Sequence, residues 1–380
     1  MKKISNKLLT TLLAFITICS FSIPVLAETN ENIQVNANSA LLMEATSGDI
    51  IFEKNSEIKY APASVTKVMT MLLTMEAVDS GKISFNDKVT VSENSKRMGG
   101  SSMLLDTGEI RTVEELIKGV GIASGNDAAV ALAEYLGGSE ENFVQMMNKR
   151  AQELGMKNTT FKNCTGLPIE GHVSTAKDIS IMSRELLKHE SILKYTGTYM
   201  ETISEGRRTP IELVNHNKLV RFFKGCDGLK TGFTREAKYC ITATAKRDGT
   251  RMLAVIMGAP TFKIRNKDAS MLMNYGFSKY ETLKLVSKGE DVKIYYLDKN
   301  NKKYIILKAE ETLEKTLPKG KKDNIEVEIT INDNLNKIKK GDIVGQYIFY
   351  LGEEKLGQVN LYSDRSCKLK GFMHKIKNLF

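Results

Sequence analysis

Asp248-Gly249 separates two apolar-rich runs, Tyr239 to Lys246 and Arg251 to Gly258, and no other short feature constrains the fold as strongly. An Asp-Gly pair suits a type I′ turn, so the flanking runs are expected to lie antiparallel in one sheet. Just upstream, Gly228 to Thr234 reads as an extended edge strand. Ser39 to Lys54 alternates about Thr46-Ser47-Gly48-Asp49 and reads as another hairpin. Between these regions the period changes. Val65, Val68, Met69, Leu72, Leu73, Met75 and Val78 recur at helical spacing, and further helices are expected around 113–119, 127–136, 141–154 and 176–188. The pattern predicts an α+β domain, an antiparallel sheet flanked by helices.

Near Lys288-Gly289 the composition shifts to short strands, expected at 292–297, 303–308, 325–331, 343–350 and 355–362. Ile325, Val327, Ile329 and Ile331 alternate with Glu326, Glu328 and Thr330, as a half-buried strand requires. A smaller all-β domain follows the first. At the end, Leu369, Phe372, Met373, Ile376, Leu379 and Phe380 share one helical face, with Lys370, Lys375 and Lys377 largely elsewhere. Such a basic amphipathic helix is expected to lie on a membrane surface. At the start, Lys2, Lys3 and Lys7 precede a largely apolar run, and Val25-Leu26-Ala27 resembles a cleavage site. The expected division is a signal peptide over 1–27 cleaved after Ala27, a main domain over 28–280, a β-rich domain over 281–365 and an anchor helix over 366–380. The protein is therefore expected outside the cytoplasmic membrane, at its outer face or in the cell wall.

Loss of residues 1–27 removes three lysines and no acid, which lowers the formal charge from +10 to +7. That balance suits an anionic envelope surface, while the chain lacks the interleaved basic and aromatic residues of a nucleic-acid platform. Cys164, Cys226, Cys240 and Cys367 have no C-x-x-C spacing and no clustering with histidine, so neither a metal nor another cofactor is expected. Cys226 and Cys240 flank one of the peptides below and are expected as free buried thiols rather than a pair.

Three peptides carry the chemistry. In Ser64-Val65-Thr66-Lys67 the serine stands at a helix start after Pro62, where free amides and the helix dipole favour negative charge. Lys67, three residues on, reaches the same face and can act as the base that Ser64 needs, provided it is neutral. Desolvation or a nearby cation such as Lys230 would make it so. In Ser124-Gly125-Asn126 a hydroxyl and a carboxamide can point into one cleft, Ser124 as a proton relay and Asn126 as a binder of a substrate amide. In Lys230-Thr231-Gly232 an edge strand can add to an extended peptide. Lys230 and Thr231 suit a terminal carboxylate, Gly232 permits close approach, and the amides of Ser64 and Phe233 are candidates for an oxyanion hole. Alone, each peptide is ordinary: a helix cap, a turn, a strand ending in glycine. Their joint occurrence is not.

The order S-x-x-K, S-x-N, K-T-G resembles that of penicillin-binding proteins and class A β-lactamases. The likeness extends to Met98-Gly99-Gly100-Ser101-Ser102-Met103, Ser124-Gly125-Asn126-Asp127-Ala128-Ala129, His172-Val173-Ser174-Thr175-Ala176 and Asp227-Gly228-Leu229. These residues resemble the serine D-alanyl-D-alanine carboxypeptidases of the peptidase S11 family, the low-molecular-weight penicillin-binding proteins. The resemblance implies a β-lactamase/transpeptidase-like fold and acylation of Ser64 by a peptidoglycan stem peptide ending in D-Ala-D-Ala. It further implies Lys67 as general base, Ser124 as proton shuttle, β-lactam antibiotics as inhibitors and the terminal helix as membrane anchor. Two positions depart from the family text, Lys238 where glycine is usual and Cys164 where proline is usual, and changed packing is expected there. A β-lactamase would need E-x-x-L-N between Asn126 and Lys230, which is missing. A catalytically silent wall binder would be expected to have lost the serine, the lysine or K-T-G, and all are intact.

Overall fold

The computed structural model describes residues 33–204, 208–297, 303–332 and 337–368. The expected signal peptide and the terminal helix face from Leu369 to Phe380 lie outside the described residues. No helix of the described residues is long and apolar enough to cross a membrane.

The main sheet contains β1 (Ser39–Glu44), β2 (Ile50–Lys54), β3 (Cys226–Thr234), β4 (Lys238–Arg247) and β5 (Thr250–Ala259) in the order β2-β1-β5-β4-β3. All neighbours are antiparallel. Asp248 and Gly249 have φ of 48° and 85°, the left-handed pair that a type I′ hairpin needs. β3 is the outer strand, so one backbone edge of the K-T-G peptide has no strand beside it.

The helices are α1 (Lys67–Asp79), α2 (Val113–Gly121), α3 (Asn126–Gly137), α4 (Glu140–Glu153), α5 (Ala176–Leu186) and α6 (Phe262–Lys279), besides single turns. Residues Lys67 to Met75 of α1 are all buried, so this helix runs through the middle of the helical cluster rather than along its surface. Side-chain caps set several starts. Thr112 and Glu115 form a reciprocal capping box on α2, and Ser139, Thr175 and Thr261 cap α4, α5 and α6. α6 escaped the sequence reading because Arg265 and Asp268 share its buried face with Ala269, Leu272 and Met273 and blur the apolar period.

The β-rich part holds β6 (Tyr280–Val286), β7 (Asp291–Tyr296), β8 (Tyr304–Ala309), β9 (Leu313–Pro318), β10 (Ile325–Ile331), β11 (Lys337–Ile338), β12 (Ile343–Leu351), β13 (Glu354–Ser363) and β14 (Cys367–Lys368). Its main sheet has the order β7-β8-β13-β12-β10. β6 and β9 were not anticipated, and β6 places the change to strand at Tyr280 rather than near Lys288. No turn residue separates β6 from α6, so nothing local marks its start.

β6 pairs with β9 from Tyr280↔Pro318 to Val286↔Leu313, and β7 with β8 as a ribbon from Asp291↔Lys308 to Tyr296↔Tyr304, the two pairs separated by a turn at Ser287–Glu290. The Tyr280 end is joined to the main domain: Asp49 Oδ1 lies 2.5 Å from Lys315 Nζ, Thr316 N–H donates to Asp49 Oδ2 (3.1 Å), and Thr282 N–H donates to Thr250 Oγ1 (3.1 Å). The Tyr296 end is the far tip.

Candidate active site

Ser64 lies in a single 3-10 turn, Ala63–Thr66, that leads directly into α1. Ala63, just before it, has φ of 48°, a left-handed value that costs an alanine about 1–2 kcal/mol. Two glycines allow the surrounding chain to close on this turn. A Cβ on Gly166 would lie 1.9 Å from the Ala63 carbonyl oxygen and 2.9 Å from the Ser64 nitrogen. A Cβ on Gly232 would lie 3.0 Å from the Ser64 nitrogen. The nucleophile's backbone is therefore enclosed between the 163–167 loop and the K-T-G strand, at distances only glycine permits.

Lys67 is fully buried. Its Nζ donates to Asn126 Oδ1 (2.6 Å) and to the Thr165 carbonyl (2.8 Å), and it lies 3.1 Å from Ser64 Oγ. Burial lowers its pKa to about 7, against the opposing pull of Cys164 and Asp127. Of the two influences the sequence offered, desolvation or a nearby cation such as Lys230, desolvation is the one that lowers it. Repulsion between the two lysines is felt at Lys230, which is held well below its ordinary value by burial, then by Lys67, then by Arg265.

The 163–167 loop is fixed by its own polar groups. Asn163 Oδ1 accepts from the amides of Thr165 (3.2 Å) and Gly166 (2.7 Å). Thr70 Oγ1 donates to the Cys164 carbonyl (2.8 Å), which ties the loop to α1. Glu140 Oε1 accepts from the Cys164 amide (3.2 Å) and lies 3.3 Å from its sulfur. Cys164 thus takes the usual proline's place by using the N–H that proline lacks. Lys162 N–H donates to His172 Nδ1 (3.2 Å), which leaves Nε2–H to donate to Thr66 Oγ1 (2.8 Å). Burial, then Lys162, pushes His172 down to about 4.

Asn126 begins α3, and both ends of its amide are used: Oδ1 on Lys67, and Nδ2 donating to the Gly99 carbonyl. It therefore holds the lysine, where a substrate-binding amide was expected. Ser124 is buried with φ of 63° and belongs to the same wall, yet it is not among the three groups that Lys67 contacts. Asp127 latches the preceding loop, accepting from Ser102 Oγ (2.6 Å), Met103 N (3.0 Å), Leu105 N (3.2 Å) and Ala128 N (2.8 Å).

On β3, Lys230 and Thr231 are buried, and Lys230 Nζ donates to the Thr231 carbonyl (2.9 Å). The Phe233 ring is half exposed and lies 4.4 Å from that of Tyr239, so its backbone rather than its side chain faces the question of an oxyanion. Two residues missed in the sequence adjoin this group. Arg265 is buried on α6, donates only to its neighbour Asn266 (3.0 and 2.9 Å), and has no carboxylate partner among the described residues. Burial lowers it to about 10. His216 stands between two buried asparagines that face inward, Asn215 donating to the Thr196 carbonyl and Asn217 to that of Gly228. Its own residue surface remains exposed, while partial enclosure and then Lys230, Lys218, Lys67 and Arg265 push it to about 4. Neither carried a local signal, because both acquire their neighbours only from the packing of distant elements.

Cys164, Cys226 and Cys240 are free and buried, and Cys367 is free and half-buried. Among the described residues no group of three His, Cys, Asp or Glu side chains is placed to hold a metal ion. Lys238, at the usual glycine position, has φ of 55°.

A family model described as D-alanyl-D-alanine carboxypeptidase matches residues 26–261, and one described as penicillin-binding protein 5, C-terminal domain, matches residues 280–368. The chain is 44% identical over 378 residues to D-alanyl-D-alanine carboxypeptidase DacF of Bacillus subtilis, covering 98% of this chain and 97% of that one. It is 32% identical to DacC of Escherichia coli, over 92% of this chain and 88% of the other. Penicillin binding protein 5 from Haemophilus influenzae superposes with a TM-score of 0.78 at 32% identity, over 88% of this chain and 98% of that chain. The ampicillin-bound penicillin-binding protein D2 of Listeria monocytogenes gives a TM-score of 0.59 at 35% identity, over 65% of this chain and 99% of that chain. The chain belongs to the peptidase S11 family of D-alanyl-D-alanine carboxypeptidases.

Proposed function

We propose that the protein removes the terminal D-alanine from peptidoglycan stem peptides ending in D-Ala-D-Ala, through an ester on Ser64. The observation that carries this reading is the partner set of Lys67: two pure acceptors and one hydroxyl, around a nitrogen whose pKa burial lowers to about 7. A neutral amine has two N–H donors and one lone pair. With both donors engaged by Asn126 and Thr165, the lone pair is left for the Ser64 proton.

Ser64 Oγ attacks the carbonyl carbon of the penultimate residue as its proton passes to Lys67 Nζ. The amides of Ser64 and Phe233 receive the developing oxyanion. The C–N bond then breaks, and the leaving D-alanine nitrogen takes a proton relayed through Ser124. Water hydrolyses the ester and restores Ser64. Lys230, Thr231 and Gly232 line the strand edge on which the peptide is held. The unpaired Arg265 supplies a cation for the terminal carboxylate. A β-lactam reaches the same serine by the same path.

Residues 1–27 direct export, 28–280 carry the peptidase, 281–368 form the β-rich domain, since β14 takes Cys367 and Lys368 out of the helix expected from 366, and the amphipathic segment 369–380 holds the protein at the outer face of the cytoplasmic membrane. This organisation is supported by the apolar patterns at both ends of the sequence.

The test is loss of one alanine from a D-Ala-D-Ala pentapeptide, followed by mass spectrometry with purified 28–380. Loss with the native protein and none with Ser64→Ala supports the reading. Equal loss from both would overturn it.

A further inference from the structure

The chain leaves β13 at the far tip of the β-rich part and then forms the short β14. Ser363 pairs with Leu307, Ile306 N–H donates to Asp364 Oδ1 (2.7 Å), and the Arg365 guanidinium lies 4.6 Å from the Tyr304 ring centre. Residues 363 to 365 therefore run alongside β8 toward Tyr304, away from the joint with the peptidase domain. The β10–β12 connection reaches the same end: Lys340 N–H donates to Ser366 Oγ (3.0 Å), and β11 pairs with β14.

This tip has an unusual surface. Tyr296 and Tyr304 face each other across the ribbon with ring centres 6.2 Å apart, and both are exposed, as is Ile343. Lys337, Lys339 and Lys340 are exposed on the adjoining connection. Among the described residues at this end, two acids have protein partners. The Asp342 carboxylate accepts the Lys339 amide (2.8 Å), and Asp364 binds Ile306 and Arg365. Tyrosines with an apolar body and a polar tip, beside lysines that form no ion pair among the described residues, suit the boundary between lipid headgroups and acyl chains.

We infer that the Tyr296–Tyr304 tip and the adjoining lysines form a second, folded contact with anionic phospholipid, separate from the terminal amphipathic segment. The inference builds on the membrane reading above but not on the segment itself. Two attachments about one β-rich support would restrict how the peptidase domain tilts over the membrane, where a single helix would leave it free to swing.

The experiment uses the protein 28–380 and sedimentation with vesicles of phosphatidylcholine, with and without phosphatidylglycerol. The Lys337→Gln/Lys339→Gln/Lys340→Gln variant is expected to lose at least about tenfold in partitioning to the anionic vesicles, since each lysine near such a surface counts for roughly fivefold. Release of D-alanine from soluble pentapeptide should be unchanged in this variant, which verifies folding. A Phe372→Ser/Phe380→Ser variant tests the terminal segment independently. Loss with this pair but not with the lysine variant overturns the inference and leaves the anchor reading standing. Loss with the lysine variant alone does the reverse. The chain contains no tryptophan, so Tyr296→Trp provides a single reporter. A blue shift of its emission with anionic vesicles is expected, and unshifted emission would also overturn the inference.

Discussion

Lys67 Nζ lies closer to Asn126 Oδ1, at 2.6 Å, than to Ser64 Oγ, at 3.1 Å. The carboxamide holds the lysine, and the serine occupies the position left over. Asn126 is itself set by the first turn of α3 and by the Gly99 carbonyl, so the base is placed by elements remote from it in sequence.

The rising limb of kcat/KM against pH should reflect Lys67 at about 7. Below that value the nitrogen is protonated and cannot accept the Ser64 proton, so activity should fall about tenfold per pH unit. Stability follows the same group. An unfolded lysine titrates near 10.5, so between about 7 and 10.5 the unfolded chain binds more protons, and this residue's contribution to stability rises with pH. Lys67→Met should abolish that limb while raising the melting temperature at neutral pH. Rate profiles and thermal melts over pH 5 to pH 9 check both.

Gly166→Ala should be damaging in a way that Gly81→Ala is not. Both have positive φ, 83° and 72°, but an added Cβ meets the Ala63 carbonyl at Gly166 and nothing within 4 Å at Gly81. The left-handed strain costs about 1–2 kcal/mol in each, and overpacking adds about 1–3 kcal/mol at Gly166 alone. Acylation by a fluorescent penicillin should be lost only in Gly166→Ala. Equal melting temperatures and equal labelling would contradict the enclosure of Ser64 described above.

Lys238→Gly should stabilise the fold by about 1 kcal/mol by relieving left-handed strain at the β3–β4 turn. The side chain is exposed, so little packing is given up. Chemical denaturation reads the gain, and D-alanine release should be unaffected.

Asp127→Ala should free the loop from Gly99 to Leu105. It removes the acceptor of two loop amides and one hydroxyl, each costing about 1–3 kcal/mol if left unsatisfied. Limited proteolysis should then cut within this loop, where the native protein resists.

Of the four thiols in 28–380, a disulfide-exchange reagent should titrate Cys367 first. Cys226 and Cys240 are buried and pushed up to about 11 by that burial, and Cys164 is likewise raised. Their reaction should await denaturant. Fast reaction of more than one thiol in the native protein would refute this.

Local chemistry made much of the fold legible. Asp248-Gly249 can close only one kind of hairpin, the run from Val65 to Val78 has the helical period, and Ile325 to Ile331 alternates as a strand must. The same locality explains the failures. α6 hides a buried arginine and aspartate on its packed face, and β6 starts without a turn residue, so neither carries its state in its own composition.

At the site, the sequence alone determined which groups are present: a serine and lysine one helical turn apart, a serine and asparagine across a glycine, and K-T-G on a strand. Tertiary structure decided what each group faces. It turned Asn126 toward Lys67, closed Gly166 and Gly232 on Ser64, and brought Arg265 and His216 to Lys230. It also made burial, rather than a neighbouring charge, the agent that lowers Lys67. The physical reason is range. Turn geometry and periodicity act over a few residues, whereas desolvation and charge coupling depend on whichever distant segments fill the surrounding volume.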